Sequence, residues 1–242
     1  MFFVKFKGHQ STLPMWTAIL DLFLPPICPI CRVHLQPWEN TICLRCGFEL
    51  PETRYHLWAT NPMQEQLQNI FPVFRSSSLF LFDQHGKVAK MIHQMKYHHQ
   101  KTIGTYCGNR LGHQLREIDI FQTVDMVVPV PLHPDRQRKR GYNQVFSFGR
   151  SLATHLNAGF SPDYLQRIRN TPHLAHANAQ KRKALIADAF KLNPQLSPTA
   201  AKHLLLVDDV MTTGATLAAC GKALRQKNSP RLSVATIACR LA

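Results

Sequence analysis

The sequence predicts an α/β protein in which a small cysteine-rich module precedes a domain built on a parallel sheet. Short apolar runs typical of buried strands alternate with segments whose apolar residues recur at helical spacing. Strand, loop and helix repeated in this order imply right-handed crossovers between parallel strands. Four of the seven cysteines lie close together ahead of these segments. A length of 242 residues allows one ordinary α/β domain and one small attachment.

The N-terminal segment, residues 1–27, carries an apolar run from Trp16 to Leu24, which Asp21 interrupts and Pro25 ends. This run is much shorter than the roughly 20 residues that a membrane span requires. No cleavage site of small residues follows it, so a secretory signal is also a poor interpretation. We expect a short amphipathic helix that docks on the rest of the protein, no transmembrane segment, and a cytoplasmic location.

The cysteine quartet has the spacing C-x2-C-x11-C-x2-C and consists of Cys28, Cys31, Cys43 and Cys46. Four thiolates satisfy a tetrahedral structural zinc site, to which each Cys-x-x-Cys turn supplies two ligands. A redox dithiol is the alternative, but one Cys-x-x-Cys pair would be enough for it, and no thioredoxin-like unit surrounds either pair. The sequence therefore predicts a structural Zn²⁺ in a ribbon that spans residues 28–60.

The first part of the main domain follows a polar connector, residues 51–69, and begins with a strand at Ser78–Phe82. Two helices come next, because apolar residues recur there at intervals of three and four. Their apolar faces are formed by Val88, Met91, Ile92 and Met95 in the first helix, and by Cys107, Leu111, Leu115 and Ile118 in the second.

The second part contains three apolar runs that suit buried strands, at Val124–Val130, His203–Val207 and Leu232–Cys239. A basic loop, Leu132–Tyr142, follows the first run and leads into a helix. The apolar side of that helix is formed by Val145, Phe148, Leu152 and Leu156. Residues 158–188 show weak periodicity and are expected to form a long loop or a hairpin. A helix at Thr216–Gln226 separates the last two strands.

A pair of carboxylates, Asp208 and Asp209, ends the buried run of the second of these strands. Ligands of a parallel sheet bind beyond the carboxyl ends of its strands. The residues that follow begin a helix, where unpaired N–H groups and the positive end of the helix dipole favour an anion. Glycine lets the backbone approach a ligand closely, and threonine hydroxyls donate further hydrogen bonds. We therefore predict a ribose 5-phosphate site, with the diol on the two carboxylates and the phosphate in a loop formed by Met211, Thr212, Thr213, Gly214, Ala215 and Thr216.

The stretch Leu204–Thr216 resembles the phosphoribosyl-pyrophosphate (PRPP) signature of type I phosphoribosyltransferases, with four apolar residues, two acids, a short gap and Thr-Thr-Gly-x-Thr. The resemblance implies the type I phosphoribosyltransferase fold and PRPP bound with Mg²⁺. If transfer is catalysed, it makes Asp208 and Asp209 the catalytic residues, which hold the diol and favour positive charge on the ribosyl carbon. An ordinary strand, turn and helix would explain a capping Thr216 but not the paired acids.

Two other protein classes also place acids at the end of an apolar strand. A P-loop nucleotide hydrolase needs G-x-x-x-x-G-K-[ST], which neither Gly86-Lys87 nor Gly221-Lys222 completes. A phosphorylation receiver domain carries its acidic cluster on the first strand, and the residues after Asp209 are too few to hold the rest of that fold. Both interpretations are therefore excluded.

A second motif, Val128–Gln144, leaves a strand with three arginines and a lysine, whose charges suit a pyrophosphate. Its Pro-Val-Pro-Leu-His-Pro-x-Arg-x-x-x-Arg-Gly-Tyr-Asn-Gln resembles the signature of the ComF family of competence-associated proteins. Met95-Lys96-Tyr97 resembles the Leu-Lys-Tyr segment of the same family. On this resemblance, PRPP contacts are predicted for Val130, Pro131, Arg136, Arg140 and Lys96. For Arg138 and Lys139, a phosphate contact and an ordinary solvated loop are equally good interpretations.

The ComF resemblance runs from about Leu22 to the C-terminus and implies a zinc ribbon, a phosphoribosyltransferase-like domain at residues 70–242, and a role in natural transformation or the use of external DNA. One segment departs from the family pattern of Gln, then Arg-x-x-Asn, before an Ala-Phe pair. Thr171–Leu174 lacks the Gln and Arg182–Leu185 has Leu for the Asn, although Ala189 and Phe190 are present. Because this segment corresponds to the flap of the transferases, the sequence supports PRPP binding more strongly than turnover.

The charge of the chain is strongly basic, with 29 Lys and Arg against 14 Asp and Glu, a net +15. Such an excess attracts polyanions. Our first hypothesis is a PRPP-binding, phosphoribosyltransferase-like protein of DNA uptake, with single-stranded DNA and other DNA-uptake proteins as expected partners. The alternative is an active phosphoribosyltransferase of nucleotide metabolism that acts on an unidentified base. Only three residues follow Cys239, so we expect no C-terminal hood that would select such a base.

Overall fold

The computed structural model describes residues 26–97, 100–169, 188–196, 201–225 and 230–241. Most of the predicted N-terminal segment and the flap residues 171–187 lie outside these ranges. Lys139 lies within a described helix, but its side chain is not described.

Five parallel strands form the central sheet, in the spatial order β1-β7-β6-β2-β3. A separate two-stranded antiparallel hairpin is formed by β4 and β5. The strands are β1 (Ser76–Leu81), β2 (Met126–Pro129), β3 (Gly159–Phe160), β4 (Leu165–Arg167), β5 (Phe190–Leu192), β6 (His203–Met211) and β7 (Arg231–Cys239). The predicted α/β class with a parallel sheet is therefore confirmed.

Helices cover both faces of the sheet. They are α1 (Leu44–Glu49), α2 (Pro62–Gln68), α3 (Lys87–Tyr97), α4 (Lys101–Leu115), α5 (Asp119–Gln122), α6 (Pro134–Arg140), α7 (Val145–His155) and α8 (Ala215–Leu224), with a 3₁₀ turn at Tyr55–Leu57. One buried cluster joins α3, α4 and α7 to the sheet, and it includes Met91, Leu111 and Phe148. The other joins α2, α8 and the β4–β5 hairpin to the opposite face, and it includes Leu67 and Leu217.

The cysteine module packs directly on the helices of the first cluster. Ile30 and Leu50 are buried in the same cluster as the α3 and α4 residues. Arg110 of α4 donates a hydrogen bond to the carbonyl of Gly47 at 3.3 Å and forms an ion pair with Glu52. The module is thus anchored on α4. The predicted bounds of the module, residues 28–60, and of the main domain, residues 70–242, remain a prediction.

Several segments differ from their predicted conformation: Ile118 lies beyond the end of α4, neither α5 nor β3 was predicted, and two further differences bear on the site. The polar connector contains α2, because its few apolar residues, Met63 and Leu67, both turn inward, and Asn61 caps the helix by accepting from the N–H of Gln64 at 3.0 Å. The basic loop contains α6, which begins at Pro134 and ends at Gly141 in the left-handed conformation with φ 74°. Proline at a helix start and glycine just after its end are usual signals of a helix. This run was nevertheless predicted to be a loop, because nearly all of its other residues are charged.

Close packing of α4 against α7 depends on three glycines spaced four residues apart, Gly104, Gly108 and Gly112. A Cβ at Gly108 would lie 2.7 Å from the backbone oxygen of Phe148, and one at Gly112 would lie 2.6 Å from the His155 ring. Because backbone atoms cannot rotate away, the two helices would have to separate.

Gly108→Ala is therefore expected to lower the free energy of unfolding by about 1–3 kcal/mol, although alanine is the better helix former. Urea denaturation measures this change. Gly159→Ala is the matched control, because the nearest atom to its Cβ would be 3.5 Å away. An equal or smaller loss in Gly108→Ala than in the control would contradict the account of this helix contact.

Candidate functional site

The two carboxylates lie within β6, near its carboxyl end, because the strand continues four residues beyond the predicted Val207. Successive residues of a strand point to opposite faces of the sheet. Asp209 accordingly meets Lys96 of α3 and Gln144, the residue just before α7, whereas Asp208 is close to Arg167 of the β4–β5 hairpin. Two acids that are adjacent in sequence therefore have different surroundings.

Asp209 is buried, with 6% of its surface exposed, and both of its carboxylate oxygens have partners. Its Oδ2 lies 3.0 Å from Lys96 Nζ and accepts from Gln144 Nε2 at 2.6 Å, and its Oδ1 accepts from the N–H of Val210 at 2.7 Å. Burial disfavours the charge, but Lys96 and these hydrogen bonds outweigh it, so the pKa of Asp209 is lowered.

Asp208 is half-buried and accepts a hydrogen bond from the N–H of Asp209 at 2.8 Å. Burial, and then the charge of Asp209, raise its pKa to about 7, against the opposing charges of Lys96 and Arg167. At neutral pH this carboxyl group is therefore poised between its two protonation states. A ligand hydroxyl or a cation that favours the carboxylate would shift it.

Arg167 was not among the predicted site residues. It lies on β4, with its guanidinium 5.4 Å from the centre of the Phe190 ring. Burial and then the charge of Arg136 lower the pKa of Arg167, so Arg136 on α6 faces the same region. The hairpin brings Arg167 to the site. Arg167 could not be predicted as a site residue, because it lies outside both sequence motifs.

A chain of hydrogen bonds connects Arg140 to the acid pair. Arg140 Nη1 donates to Gln144 Oε1 at 2.7 Å, and Gln144 in turn donates to Asp209. Gln144 belongs to the Gly-Tyr-Asn-Gln part of the second motif but was not assigned a role. Two hydrogen bonds hold the backbone just after β2. The carbonyl of Val130 accepts from Asn143 Nδ2 at 3.0 Å, and the N–H of Val130 donates to the carbonyl of Val207 at 2.8 Å. Pro131, the next residue, is buried.

The threonine loop connects β6 to the start of α8. Gly214 has φ +75°, and a Cβ there would lie 2.9 Å from Leu67, so glycine is required both by conformation and by space. Thr212 and Thr213 are exposed, whereas Met211 is buried. Gln66 of α2 holds the loop by donating to the carbonyl of Thr212 at 2.9 Å.

Ala215 and Thr216 form the first turn of α8, where backbone N–H groups face outward unpaired by the helix itself. The loop thus presents hydroxyls and N–H groups beside the acid pair. The structure brings Lys96, Asp208, Asp209 and the loop to one end of the sheet, and their ligand contacts remain a prediction.

The four predicted metal ligands come together in the cysteine module. The Sγ atoms of Cys28, Cys31, Cys43 and Cys46 all lie within 4.8 Å of one another, and the Cys31–Cys43 pair is 3.6 Å apart. Tetrahedral coordination at the usual Zn–S length places sulfurs roughly 3.8 Å apart, so the cluster fits one such ion. Burial raises the pKa of Cys28, but backbone hydrogen bonds outweigh it and lower the pKa to about 7, whereas burial and the neighbouring thiols raise the pKa of Cys43 and of Cys46.

The two acids should have opposite effects on stability. The folded-state pKa of Asp208 lies above its unfolded value of 3.8, so its protonation stabilises the fold fully below about pH 4 and this contribution is lost as the pH rises through 7. The folded pKa of Asp209 is lowered below its unfolded value of 3.8, so its contribution is present above about pH 4 and is lost as the pH falls below that value. At pH 8, Asp208→Asn should raise the free energy of unfolding by at most about 4 kcal/mol, and Asp209→Asn should lower it.

Chemical denaturation of both variants at pH 5 and pH 8 measures these contributions. The gain in Asp208→Asn should shrink at the lower pH, because wild-type Asp208 is then protonated. If both variants changed the free energy of unfolding in the same direction at pH 8, the opposite pKa shifts of Asp208 and Asp209 would be contradicted.

Comparison with known proteins shows similarity over most of the chain, although no protein-family model matches it. It is 31% identical over 215 residues to competence protein F of Haemophilus influenzae, which covers 86% of this chain and 94% of that protein. It is 28% identical over 230 residues to the DNA utilization protein YhgH of Escherichia coli K12, with 88% and 96% covered.

A shorter similarity concerns an enzyme. Over 80 residues, the chain is 39% identical to adenine phosphoribosyltransferase of Polynucleobacter asymbioticus, a match that covers 33% of this chain and 44% of that enzyme. In the part of the chain that the structure describes, none of the helices combines the length and the apolar character needed to cross a bilayer.

Proposed function

The chain belongs to the ComF family, the family of competence protein F, and on this basis we propose that it binds PRPP with Mg²⁺ and acts in the uptake and use of external DNA. Similarity to competence protein F and to a DNA utilization protein, over most of each chain, supports the cellular role. The observation that supports the ligand is the acid pair near the end of β6, followed after Val210 and Met211 by a Thr-Thr-Gly loop at a helix start.

Asp208 is the group that we propose to hold the ribose diol. It is half-buried and accepts hydrogen bonds when ionised, and the two hydroxyls of a ribose donate them. Asp209 already binds Lys96 and Gln144, so its proposed role is to orient these two side chains. This division of roles refines the predicted equivalence of the two acids.

The phosphate groups have separate sets of donors. The 5-phosphate of PRPP would lie against Thr212, Thr213 and the N–H groups at the start of α8. The pyrophosphate would meet Lys96, Arg136 and Arg140, whose fixed charges suit its oxygens. Mg²⁺ is commonly held by one or two carboxylates together with substrate phosphates, which suits Asp208 and PRPP, and it would neutralise charge on the pyrophosphate.

We also propose that the cysteine cluster holds a structural Zn²⁺ and that the chain is organised as the N-terminal segment 1–27, the ribbon 28–60 and the ligand-binding domain 70–242. All seven cysteines are free thiols. Free thiols and a thiolate metal site suit a reducing compartment, so we place the protein in the cytoplasm. Its proposed macromolecular partners are single-stranded DNA and other proteins of DNA uptake, in keeping with the net charge of +15.

Genetic complementation tests this function. In the source organism, deletion of the gene should abolish growth on DNA as sole carbon source or reduce transformation. Wild-type protein should restore the phenotype, and stably expressed Asp208→Asn should not. Asp119→Asn, an exposed acid far along the chain from the site, is the control and should restore it. Full rescue by Asp208→Asn would mean that the use of external DNA does not require the proposed ligand site.

The alternative is an active phosphoribosyltransferase, which the similarity to adenine phosphoribosyltransferase favours. In that reaction a base nitrogen bonds to the anomeric carbon as pyrophosphate leaves with the bonding electrons. Lys96, Arg136 and Arg140 would stabilise the departing charge. Pyrophosphate release that requires an added base, and that is lost in Asp208→Asn, would establish this alternative.

A further inference from the structure

Three of the cation–ring pairs among the described residues lie on or next to α3, α4, α6, α7 and β3. The cation lies 5.4–5.7 Å from the ring centre in the pairs Arg140–Tyr97, Lys101–Tyr142 and Arg150–Phe160. Phe146 joins the last pair, since its ring centre is 6.1 Å from that of Phe160 in an edge-to-face arrangement. We call these seven residues the aromatic–basic strip.

An open cavity of about 480 Å³ between α4 and α7 is lined by four of the seven residues of the strip. Lys101, Tyr142, Phe146 and Arg150 all line this cavity, and hydroxyl side chains complete its wall. Its lining contains no Asp or Glu among the described residues. The cavity falls in the size range of small-molecule sites, but it is open, and its charged lining residues, Lys101 and Arg150, are both cations.

This combination suits an unpaired polynucleotide better than a free anion. Unpaired bases stack on aromatic rings and on guanidinium planes, while Lys and Arg neutralise the phosphates between them. A free phosphate would use the cations but not the rings, and bases within a duplex have no exposed face to stack. We therefore propose that the aromatic–basic strip is the binding surface for single-stranded DNA.

The proposal rests on the DNA partner of the proposed function and adds the surface that binds it. The strip also adjoins the candidate ligand site. Arg140, over the Tyr97 ring, donates to Gln144, which donates to Asp209. A strand on the strip would thus pass beside the bound ligand and would meet Arg140, which is also a proposed pyrophosphate contact.

The test is binding of a labelled oligothymidylate at low salt, measured by fluorescence anisotropy. Lys101→Ala with Arg150→Ala should weaken binding about tenfold or more and should reduce the salt slope by about 1.4, which is two phosphates at 0.7 each. Phe146→Leu should weaken binding about fivefold or more, with the slope unchanged, because a stacking surface and not a charge is removed.

Lys90→Ala with Lys202→Ala is the matched control, because both side chains are exposed and lie off the strip. It removes the same charge and should weaken binding by no more than about twofold, since distant exposed charges are screened. An abasic oligomer of the same length should bind the wild-type protein at least as weakly as the thymidylate binds Phe146→Leu, because it loses stacking on every ring of the strip. The thermal shift caused by Mg²⁺ and PRPP should persist in all variants, which verifies their folding.

The outcomes separate the two claims. If the control loses as much affinity as the strip variant, or if the abasic oligomer binds as tightly as the thymidylate, the strip is not the binding surface. If the wild-type protein binds no oligonucleotide at low salt, the DNA partner of the proposed function fails together with the strip.

Discussion

Replacing Cys43 by serine should release the zinc that we propose for the cysteine cluster and should unfold the module around it. The Sγ of Cys43 lies 3.6 Å from that of Cys31 and accepts from the N–H of Cys46. Few apolar side chains are buried in the module besides the cysteines, chiefly Ile30, Ile42 and Leu50. Metal binding must therefore supply most of its folding free energy, on the order of 5 kcal/mol or more.

Elemental analysis and limited proteolysis measure this result. We expect about one zinc per wild-type chain, none in Cys43→Ser, and new cleavage within the ribbon of the variant. Cys107→Ala is the control, because Cys107 is buried in α4 outside the cluster and its loss should leave the zinc in place. Wild-type protein that contains no zinc when prepared without chelator would refute the metal site.

The second large effect concerns the ligand. Mg²⁺ with PRPP should raise the melting temperature of the wild-type protein, because a ligand bound only by the folded state stabilises it. At one hundred times the dissociation constant, the gain is about 2.7 kcal/mol, or roughly 5–10 °C for a chain of this length. Asp208→Asn should abolish the shift by weakening the diol contacts, and Thr213→Val should do so by removing a phosphate donor.

Differential scanning fluorimetry measures these shifts, and two conservative variants provide controls. Asp119→Asn and Thr102→Val make the same chemical changes at exposed positions of α5 and α4, and both should keep the full shift. A shift that survives in Asp208→Asn and in Thr213→Val would mean that PRPP binds elsewhere on the protein.

The parallel sheet could be predicted because its central strands are nearly continuous apolar runs. Leu204–Val207 and Leu232–Cys239 are buried on both faces, which is the condition under which a parallel strand loses its alternation. The short helix α2 was not predicted, because only two inward apolar residues, Met63 and Leu67, distinguish it from a polar connector. Such a segment gains its stability from tertiary packing, which local sequence does not reveal.

The chemical groups that the candidate site would bind could be predicted from the sequence, but the full set of residues that surround the site could not. Residue types and spacing indicate a diol, a phosphate and four thiolate ligands, since each needs particular donors or acceptors. The positions of Gln144 and Arg167 depend on how α7 and the hairpin pack, so neither was predicted. The opposite pKa shifts of Asp208 and Asp209 arise because a strand directs neighbouring side chains to opposite faces of the sheet.

Isothermal titration calorimetry with PRPP in the presence of Mg²⁺ tests the central claim most directly. We expect about one equivalent per chain, with affinity that increases from pH 6 to pH 8 and a proton released on binding, because the ribose hydroxyls favour the ionised form of Asp208, whose pKa is about 7 in the free protein. Asp208→Asn should bind weakly, with no comparable dependence on pH. Absence of saturable heat in the wild-type protein at millimolar PRPP, or equal binding by Asp208→Asn, would contradict the account.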